Sequence, residues 1–378
     1  MEKIICIPDS YKGTLSSLEI CDIVGERFAT YFPSCERVLL PVADGGEGSV
    51  DCFLAAMGGE KVFTPTVGPY FEEMQGYYGL VENGATAIIE VASCAGLPLV
   101  GEHKNPLLTT TFGVGTLMLE AAKKGVNKIL LAVGGSCTND AGCGAAAACG
   151  VRFLDSSGKE FTPVGGTLES IAKIDVSRLH PALRKVEIVI MCDIDNPMYG
   201  RNGAAWIYGP QKGADEAMIH SLDNGLIHLA GLIKQDLKTD VSKLPGGGAG
   251  GAMGAGMAAF MGTQLKMGID LVLDMVQFDQ VCAGADLVIT GEGRLDRQSL
   301  RGKVIAGVAK RAKRAEVPVL AIVGGYELDI DEIYDFGVSA VFSINRLPQT
   351  LAQSQKDSAE NLRVTVDNIL RYHQALLA

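Results

Sequence analysis

Apolar runs of five or six residues recur along the chain, and most of them stop at a glycine-rich polar loop. Lys3-Ile-Ile-Cys-Ile-Pro8 is uniformly apolar after its first residue, as in a strand buried on both faces of a parallel sheet. A helix follows, capped by Ser16 or Ser17 and running to about Thr30, with Glu19 placed to close a capping box on Ser16. Arg37-Val-Leu-Leu-Pro-Val42 predicts a second strand, and a helix reaching Met57 comes after the next polar loop. From 283 onward the same alternation returns. Strands are predicted over 286–290, 317–323 and 338–344, and helices over 302–315, 329–334 and 358–377.

The middle reads differently. Lys61-Val-Phe-Thr64, Met74 to Leu80 and Thr86 to Val91 are strand-like, and turns such as Glu82-Asn-Gly84 separate them, which predicts antiparallel pairing. Thr110-Thr111 caps a helix to about Lys124, and Lys128 to Val133 is a short buried strand followed by a helix over 145–149. Another strand covers 151–154, with a turn at 155–158. A further strand spans 186–191, a helix 215–235, and the glycine-dense stretch 246–256 opens a helix through Met261. The expected fold is α/β in two domains. Residues 1–65 plus 283–378 form a discontinuous, doubly wound domain from both termini, and 66–282 form an inserted mixed-sheet α/β domain. A cut into consecutive halves is the alternative.

Composition narrows the class. At 378 residues and 47% hydrophobic the chain can bury large cores. A net charge of −11 argues against a nucleic-acid partner, and no stretch approaches the length of a membrane span. The ten cysteines include no Cys-x-x-Cys pair and lie near no His cluster, as expected of reduced core thiols in a cytoplasmic protein. The start, Met-Glu-Lys-Ile-Ile-Cys, runs directly into a strand and lacks the apolar region of a signal peptide.

The candidate chemistry lies in the loops. Val133 to Gly144 places Gly134, Gly135, Ser136, Thr138, Asn139 and Asp140 between a strand's carboxyl end and a helix's amino end, where α/β proteins bind ligands and backbone N–H groups attract oxyanions. The plainer reading is a glycine turn with an Asn or Asp helix cap. Asp44-Gly-Gly-Glu-Gly48 offers close backbone approach at Gly45 and Gly46 beside carboxylates, or a tight turn with an acidic helix start. Asp9-Ser-Tyr-Lys-Gly-Thr14 puts Asp9, Ser10 and Lys12 beyond the first strand, although a solvated lysine is the commoner finding. Asp193-Ile-Asp195-Asn-Pro197 sets two carboxylates to one side of an extended chain, suited to a divalent cation or a general base.

Gly209-Pro-Gln-Lys-Gly213 adds Lys212. Gly246 to Gly251 matches G-x-G-x-x-G without a preceding strand, which removes the dinucleotide context and leaves Gly250 and Gly251 for an anion cradle or tight packing. Gly291, Glu292, Asp296 and Gln298 follow another strand, with Lys303 at a helix start. There is no Walker lysine motif, no G-x-S-x-G elbow and no His-based triad. Many anion-friendly loops, several carboxylates and a few lysines fit phosphoryl transfer to a small anion.

At these loops the sequence resembles the bacterial glycerate kinase type I family, nearly end to end. The resemblance is carried by Pro8-Asp-Ser-Tyr-Lys-Gly13, Ala43-Asp-Gly-Gly-Glu-Gly48, Gly134-Gly-Ser-Cys-Thr-Asn-Asp140, Asp193 with Asn196-Pro197, Tyr208 to Ala214, Gly248-Ala-Gly-Gly251 and Thr290-Gly-Glu-Gly293 with Asp296, Gln298 and Gly302-Lys303. Tyr11, Cys137 and Ser299 stand where the family commonly has Phe, Ala and Thr. The resemblance implies ATP- and Mg²⁺-dependent phosphorylation of D-glycerate, usually to 2-phosphoglycerate, with 3-phosphoglycerate attributed to some members. It implies two α/β domains, one flavodoxin-like, with the site in a cleft between them. Within it, Asp193 is the first candidate base and Asp44 the second. Lys12 and Lys303 serve phosphate charge or the glycerate carboxylate, and Asp195, Glu292 and Asp296 are candidates for Mg²⁺. A non-catalytic glycerate or nucleotide sensor is the alternative of another class, and homodimerisation is left open.

Overall fold

The computed structural model describes residues 1–43, 45–297 and 299–377. Contacts within the chain group it into two units. The first comprises Met1–Asp44, Asp51–Met57 and Met267–Ala378, and the second Gly45–Val50 and Gly58–Lys266.

The first unit is built on a five-stranded sheet in the order Glu36–Leu39, Lys3–Pro8, Leu287–Gly291, Val319–Val323, Val338–Ser343. Every pairing is parallel. Numbered along this unit alone, the order is 2-1-3-4-5, the flavodoxin-like arrangement. Strict alternation explains why the strands are apolar throughout. Ile4, Cys6, Leu287 and Ile289 face one core with Ile20, Val24, Phe28, Leu362 and Val366 from helices Ser17–Tyr31 and Ser358–Leu377. Ile5, Ile7 and Val288 alternate with them and are equally buried, and helix Val304–Arg314 packs on the central strands. Ser16 caps helix Ser17–Tyr31 with the full capping box from Glu19.

The second unit has a six-stranded mixed sheet, ordered Gln264–Lys266, Glu187–Met191, Lys128–Ala132, Thr86–Glu90, Glu73–Val81, Glu60–Val67. The first four strands are parallel and the last two antiparallel. Helix Phe112–Lys123 contributes Val114, Leu117 and Met118 to one core with Ile129, Leu131 and Met253. A second core joins Phe153, Phe260 and the long helix Glu216–Asp236.

Several expectations change. Strand Glu60–Val67 pairs along its whole length with Glu73–Val81, so it belongs to the second unit and not to a first segment ending at 65. Helices Gly268–Met275 and Phe278–Cys282 pack on helix Val304–Arg314, which moves the return to the first unit from 283 to 267. The helix expected from 246 is assigned over Ala249–Met261, but Gly250, Gly251 and Ala252 hold positive φ, so regular helix starts after them. Strand Gln264–Lys266 was invisible to the hydrophobic pattern because only three residues of mixed polarity pair at the sheet edge.

Helix–helix approach sets one clear constraint. A Cβ on Gly115 would lie 2.2 Å from the carbonyl oxygen of Ala145 in helix Cys143–Ala148. The exposed Gly231 in helix Glu216–Asp236 has nothing within 4 Å of its Cβ position. The two Gly→Ala substitutions should therefore move stability in opposite directions. Gly231→Ala gains about 0.5–1 kcal/mol from helix propensity. Gly115→Ala loses about 1–3 kcal/mol because the packed backbones must separate. Urea denaturation of both variants checks this, and a stabilised Gly115→Ala would show that the two helices are not in close contact.

Candidate active site

Five glycine-bearing loops of the second unit converge at the carboxyl edge of its parallel strands. The loop after Lys128–Ala132 is the hub. Gly134 donates its N–H to Gly45 O at 3.0 Å, and a Cβ there would stand 2.7 Å from Gly46 Cα, so only glycine lets these two loops approach. Gly135 has φ +72, and its carbonyl accepts from Leu97 N. Ala141 donates to Gly251 O at 3.1 Å, and a Cβ on Gly251 would reach within 2.0 Å of Thr138 O. Both Ala141 and Ala252 hold positive φ, at 52° and 68°. Strained alanines on interlocked loops persist only when the surroundings enforce them.

Asp140 anchors the hub. Its carboxylate accepts from Thr111 N and Oγ1, both at 2.8 Å, from Gly142 N at 3.1 Å and from Gly144 N at 3.2 Å. Burial pushes its carboxyl above the usual range, against these hydrogen bonds, which pull it down. The side chain is wholly buried and turned toward its own loop, which makes it a positioning residue for the glycine turn. Thr111 occupies the N-cap position expected of it, but its hydroxyl does not cap the helix. That hydroxyl donates to Asp140 and accepts from Ala145 N at 2.9 Å.

Lys212 reaches the same loop from the turn Pro210–Lys212. Its Nζ donates to Ser136 Oγ at 3.0 Å and to Thr138 O at 2.7 Å. Burial pushes this ammonium down to about 8, while the charges of Cys137 and Asp140 act the other way. Thr138 Oγ1 and both amide atoms of Asn139 are buried without a hydrogen-bond partner among the described residues. Asp193 is half-buried and Asp195 exposed on the loop after Glu187–Met191. Asn196 in that loop accepts from Tyr208 Oη at 2.7 Å and through its carbonyl from Gly248 N at 2.9 Å, tying in the Gly250 loop.

One residue of this edge was missed from sequence. Glu90, at the end of its buried strand, accepts from Val50 N at 2.6 Å and so holds the segment after Gly45 and Gly46. A carboxylate closing the apolar run Thr86-Ala-Ile-Ile-Glu90 was the available signal.

The first unit carries the remaining candidates. Its loops after Lys3–Pro8 and Leu287–Gly291 flank the point where strand order reverses, the place open α/β sheets bind ligands. Asp9 is buried, donates its N–H to Gly291 O at 2.8 Å and accepts from Ser10 N at 2.7 Å. Lys12 is exposed. Tyr11, the departure from Phe, uses its hydroxyl to donate to Ile322 O at 2.7 Å. A Cβ on Gly291 would lie 2.1 Å from that same carbonyl. Glu292 is buried, and its charge, after burial and Cys6, raises the Tyr11 hydroxyl. Asp296 and Ser299 exchange hydrogen bonds at 3.2 Å, so Ser299 fills its role without the Thr methyl. Lys303 is half-buried at the N-cap position of helix Val304–Arg314. Asp44 and Gln298 lie outside the described residues.

The three metal candidates are thus divided, with Asp195 in the second unit and Glu292 and Asp296 in the first. Among the described residues, no group of three or more His, Cys, Asp or Glu side chains stands together as a metal cage, and no helix is long and apolar enough to cross a membrane.

The Lys212 environment predicts a pH signature. The folded pKa lies below the ordinary lysine value of 10.5, so between about 8 and 10.5 the unfolded chain binds more protons. Stability attributable to this lysine should therefore rise with pH across that window, by at most about 3 kcal/mol at 1.36 kcal/mol per unit. The difference in unfolding free energy between the parent and Lys212→Met, measured from pH 7.5 to 10, should grow in favour of the parent. A flat difference would mean that the buried charge is fully compensated.

Comparison with known proteins identifies the family. Residues 4–374 match the model of the glycerate kinase family. The chain is 44% identical over 368 residues to a glycerate kinase of Bacillus cereus, covering 97% of each protein. It is 42% identical over 361 residues to a glycerate 2-kinase of Escherichia coli, covering 95% of each. A crystal structure of a provisionally assigned glycerate kinase 2 from Salmonella typhimurium LT2 superposes with a TM-score of 0.87 at 41% identity, covering 99% of this chain and 98% of that one. With matches that run end to end, the chain belongs to the glycerate kinase family and is a glycerate kinase.

Proposed function

We propose that the enzyme transfers the γ-phosphoryl group of ATP to the 2-hydroxyl of D-glycerate, giving 2-phosphoglycerate. The observation that carries the choice of hydroxyl is the end-to-end match to the relative named glycerate 2-kinase. Phosphoryl transfer needs little covalent chemistry from the protein; it needs in-line placement and stabilised charge. Asp193 is the base that accepts the hydroxyl proton. Its half-buried position, one carboxylate oxygen out of solvent, suits a group that must meet substrate without full hydration.

Lys12 and Lys303, on loops of the first unit, stabilise phosphate charge, and the N–H groups of the Gly134 and Gly250 loops add donors. Glu292 and Asp296, which both follow strand Leu287–Gly291 in the first unit, offer oxygen ligands of the kind Mg²⁺ takes, with water and nucleotide phosphates completing its shell. When bound there, Mg²⁺ supplies countercharge to the phosphates. A cytoplasmic setting suits the ten free, buried cysteines.

Purified protein with ATP, Mg²⁺ and D-glycerate should release ADP, and the ³¹P signal of the product should be a doublet from the single carbon-bound proton beside a secondary phosphate. A triplet would place the phosphate on the primary hydroxyl and overturn the 2-position. Asp193→Asn should lower kcat by about 10²-fold or more while both KM values stay within a few-fold. Near-normal kcat in that variant would remove Asp193 from the base role.

A further inference from the structure

We propose that Lys212, Thr138 and Asn139 form the seat for the hydroxy acid itself, with the Lys212 ammonium pairing the D-glycerate carboxylate and Thr138 and Asn139 reading its hydroxyls. This deepens the glycerate kinase reading and rests on it. Three observations carry it.

The first is an unbalanced charge. Lys212 is 3% exposed, and its Nζ bonds only neutral oxygens, Ser136 Oγ and Thr138 O. It forms no ion pair among the described residues. One of its three N–H donors is left over. The acidic side chain acting on it, Asp140, is already held by four hydrogen bonds from Thr111, Gly142 and Gly144. A buried cation without a countercharge is costly, and an incoming carboxylate removes that cost. The lowered pKa of Lys212 is the same imbalance in another form.

The second is a set of unmatched polar atoms on the adjoining residues. Thr138 Oγ1, Asn139 Nδ2 and Asn139 Oδ1 are all buried without a partner among the described residues. Such groups are rare in a folded chain, because each loses its hydrogen bonds to water without replacing them.

The third is the balance of donors and acceptors. Asn139 Oδ1 can only accept. A nucleotide phosphate near neutral pH is mostly ionised, so it brings many acceptors and few protons to give it. A hydroxy acid brings both a carboxylate for the ammonium and O–H groups for the amide oxygen. The seat therefore matches glycerate better than a nucleotide phosphate. Its burial excludes water, which strengthens every such contact.

The test separates this seat from the kinase reading by measuring binding without turnover. Calorimetry should show D-glycerate binding the nucleotide-free parent, and glycerol, the same three-carbon skeleton with a hydroxymethyl group in place of the carboxylate, not binding. Lys212→Met should weaken D-glycerate at least tenfold and leave ADP within twofold. Thr138→Val, which removes an unmatched hydroxyl at constant shape, should fold with stability equal to or above the parent, yet raise the glycerate KM several-fold with the ATP KM unchanged. If ADP or inorganic phosphate weakens in Lys212→Met while glycerate does not, the seat belongs to the nucleotide and the proposal fails. If glycerate and ADP affinities are both unchanged, Lys212 is only a clamp for its loop, and the proposal fails again. Should Lys212→Met not fold, Thr138→Val decides: unchanged glycerate KM overturns the assignment. Parent protein that binds D-glycerate but releases no ADP with it would refute the kinase reading and leave the seat standing.

Discussion

Two hydrogen bonds from the Lys212 ammonium, to Ser136 Oγ and to the Thr138 carbonyl, tie the turn Pro210–Lys212 to the loop after strand Lys128–Ala132. Everything else at that edge of the second unit is arranged around keeping this loop in one shape. Asp140 gathers four donors from Thr111, Gly142 and Gly144. Gly251 comes so close to the Thr138 carbonyl that no side chain fits. Ala141 and Ala252 accept left-handed backbone to let the two loops interlock. A charge held in a low-dielectric setting by neutral groups is strongly attracted to whatever anion reaches it. The loops do not simply surround a ligand; they hold a cation short of its countercharge.

The first unit meets the same need for close approach by a different route. Its parallel sheet leaves a crevice at the carboxyl ends where the order reverses between Lys3–Pro8 and Leu287–Gly291. Gly291 and Gly324 let neighbouring backbones pass, with prospective Cβ contacts of 2.1 Å to Ile322 O and 2.3 Å to Gly293 O. Tyr11 braces the crevice floor by bonding the same Ile322 carbonyl. Asp9 and Glu292 bring carboxylates to a position where the backbone is already rigid, so their placement costs little further order.

Much of this was legible in the residues. Uniformly apolar strands such as Lys3–Pro8 could only be central and parallel, and the capping box at Ser16 and Glu19 marked a helix start to the residue. The glycine loops were legible because close backbone approach has few other solutions. What was not legible depends on partners far away in sequence. Thr111 reads as a helix cap until Asp140 comes to it from 29 residues away. Glu90 reads as the solvated end of a strand until Val50 donates to it. Lys212 stands out in its Gly-Pro turn as a candidate for anion binding, but nothing local says that it will be buried against Ser136. Strand Gln264–Lys266 is too short for any period to show.

The route of the chain also sets a schedule for making the protein. Strand Lys3–Pro8 is central in its sheet, flanked by Glu36–Leu39 and Leu287–Gly291. On a ribosome adding roughly 5–20 residues per second, its second neighbour emerges roughly 15–60 seconds after it does. In that interval the second unit, complete by Lys266, has all of its own strands in hand. The Ile-Ile-Cys-Ile run at the amino terminus meanwhile has one short neighbour and an open edge, the kind of surface that recruits wrong partners. Birth order thus runs against sequence order: the inserted unit matures first, and the amino-terminal residues are among the last to find their place.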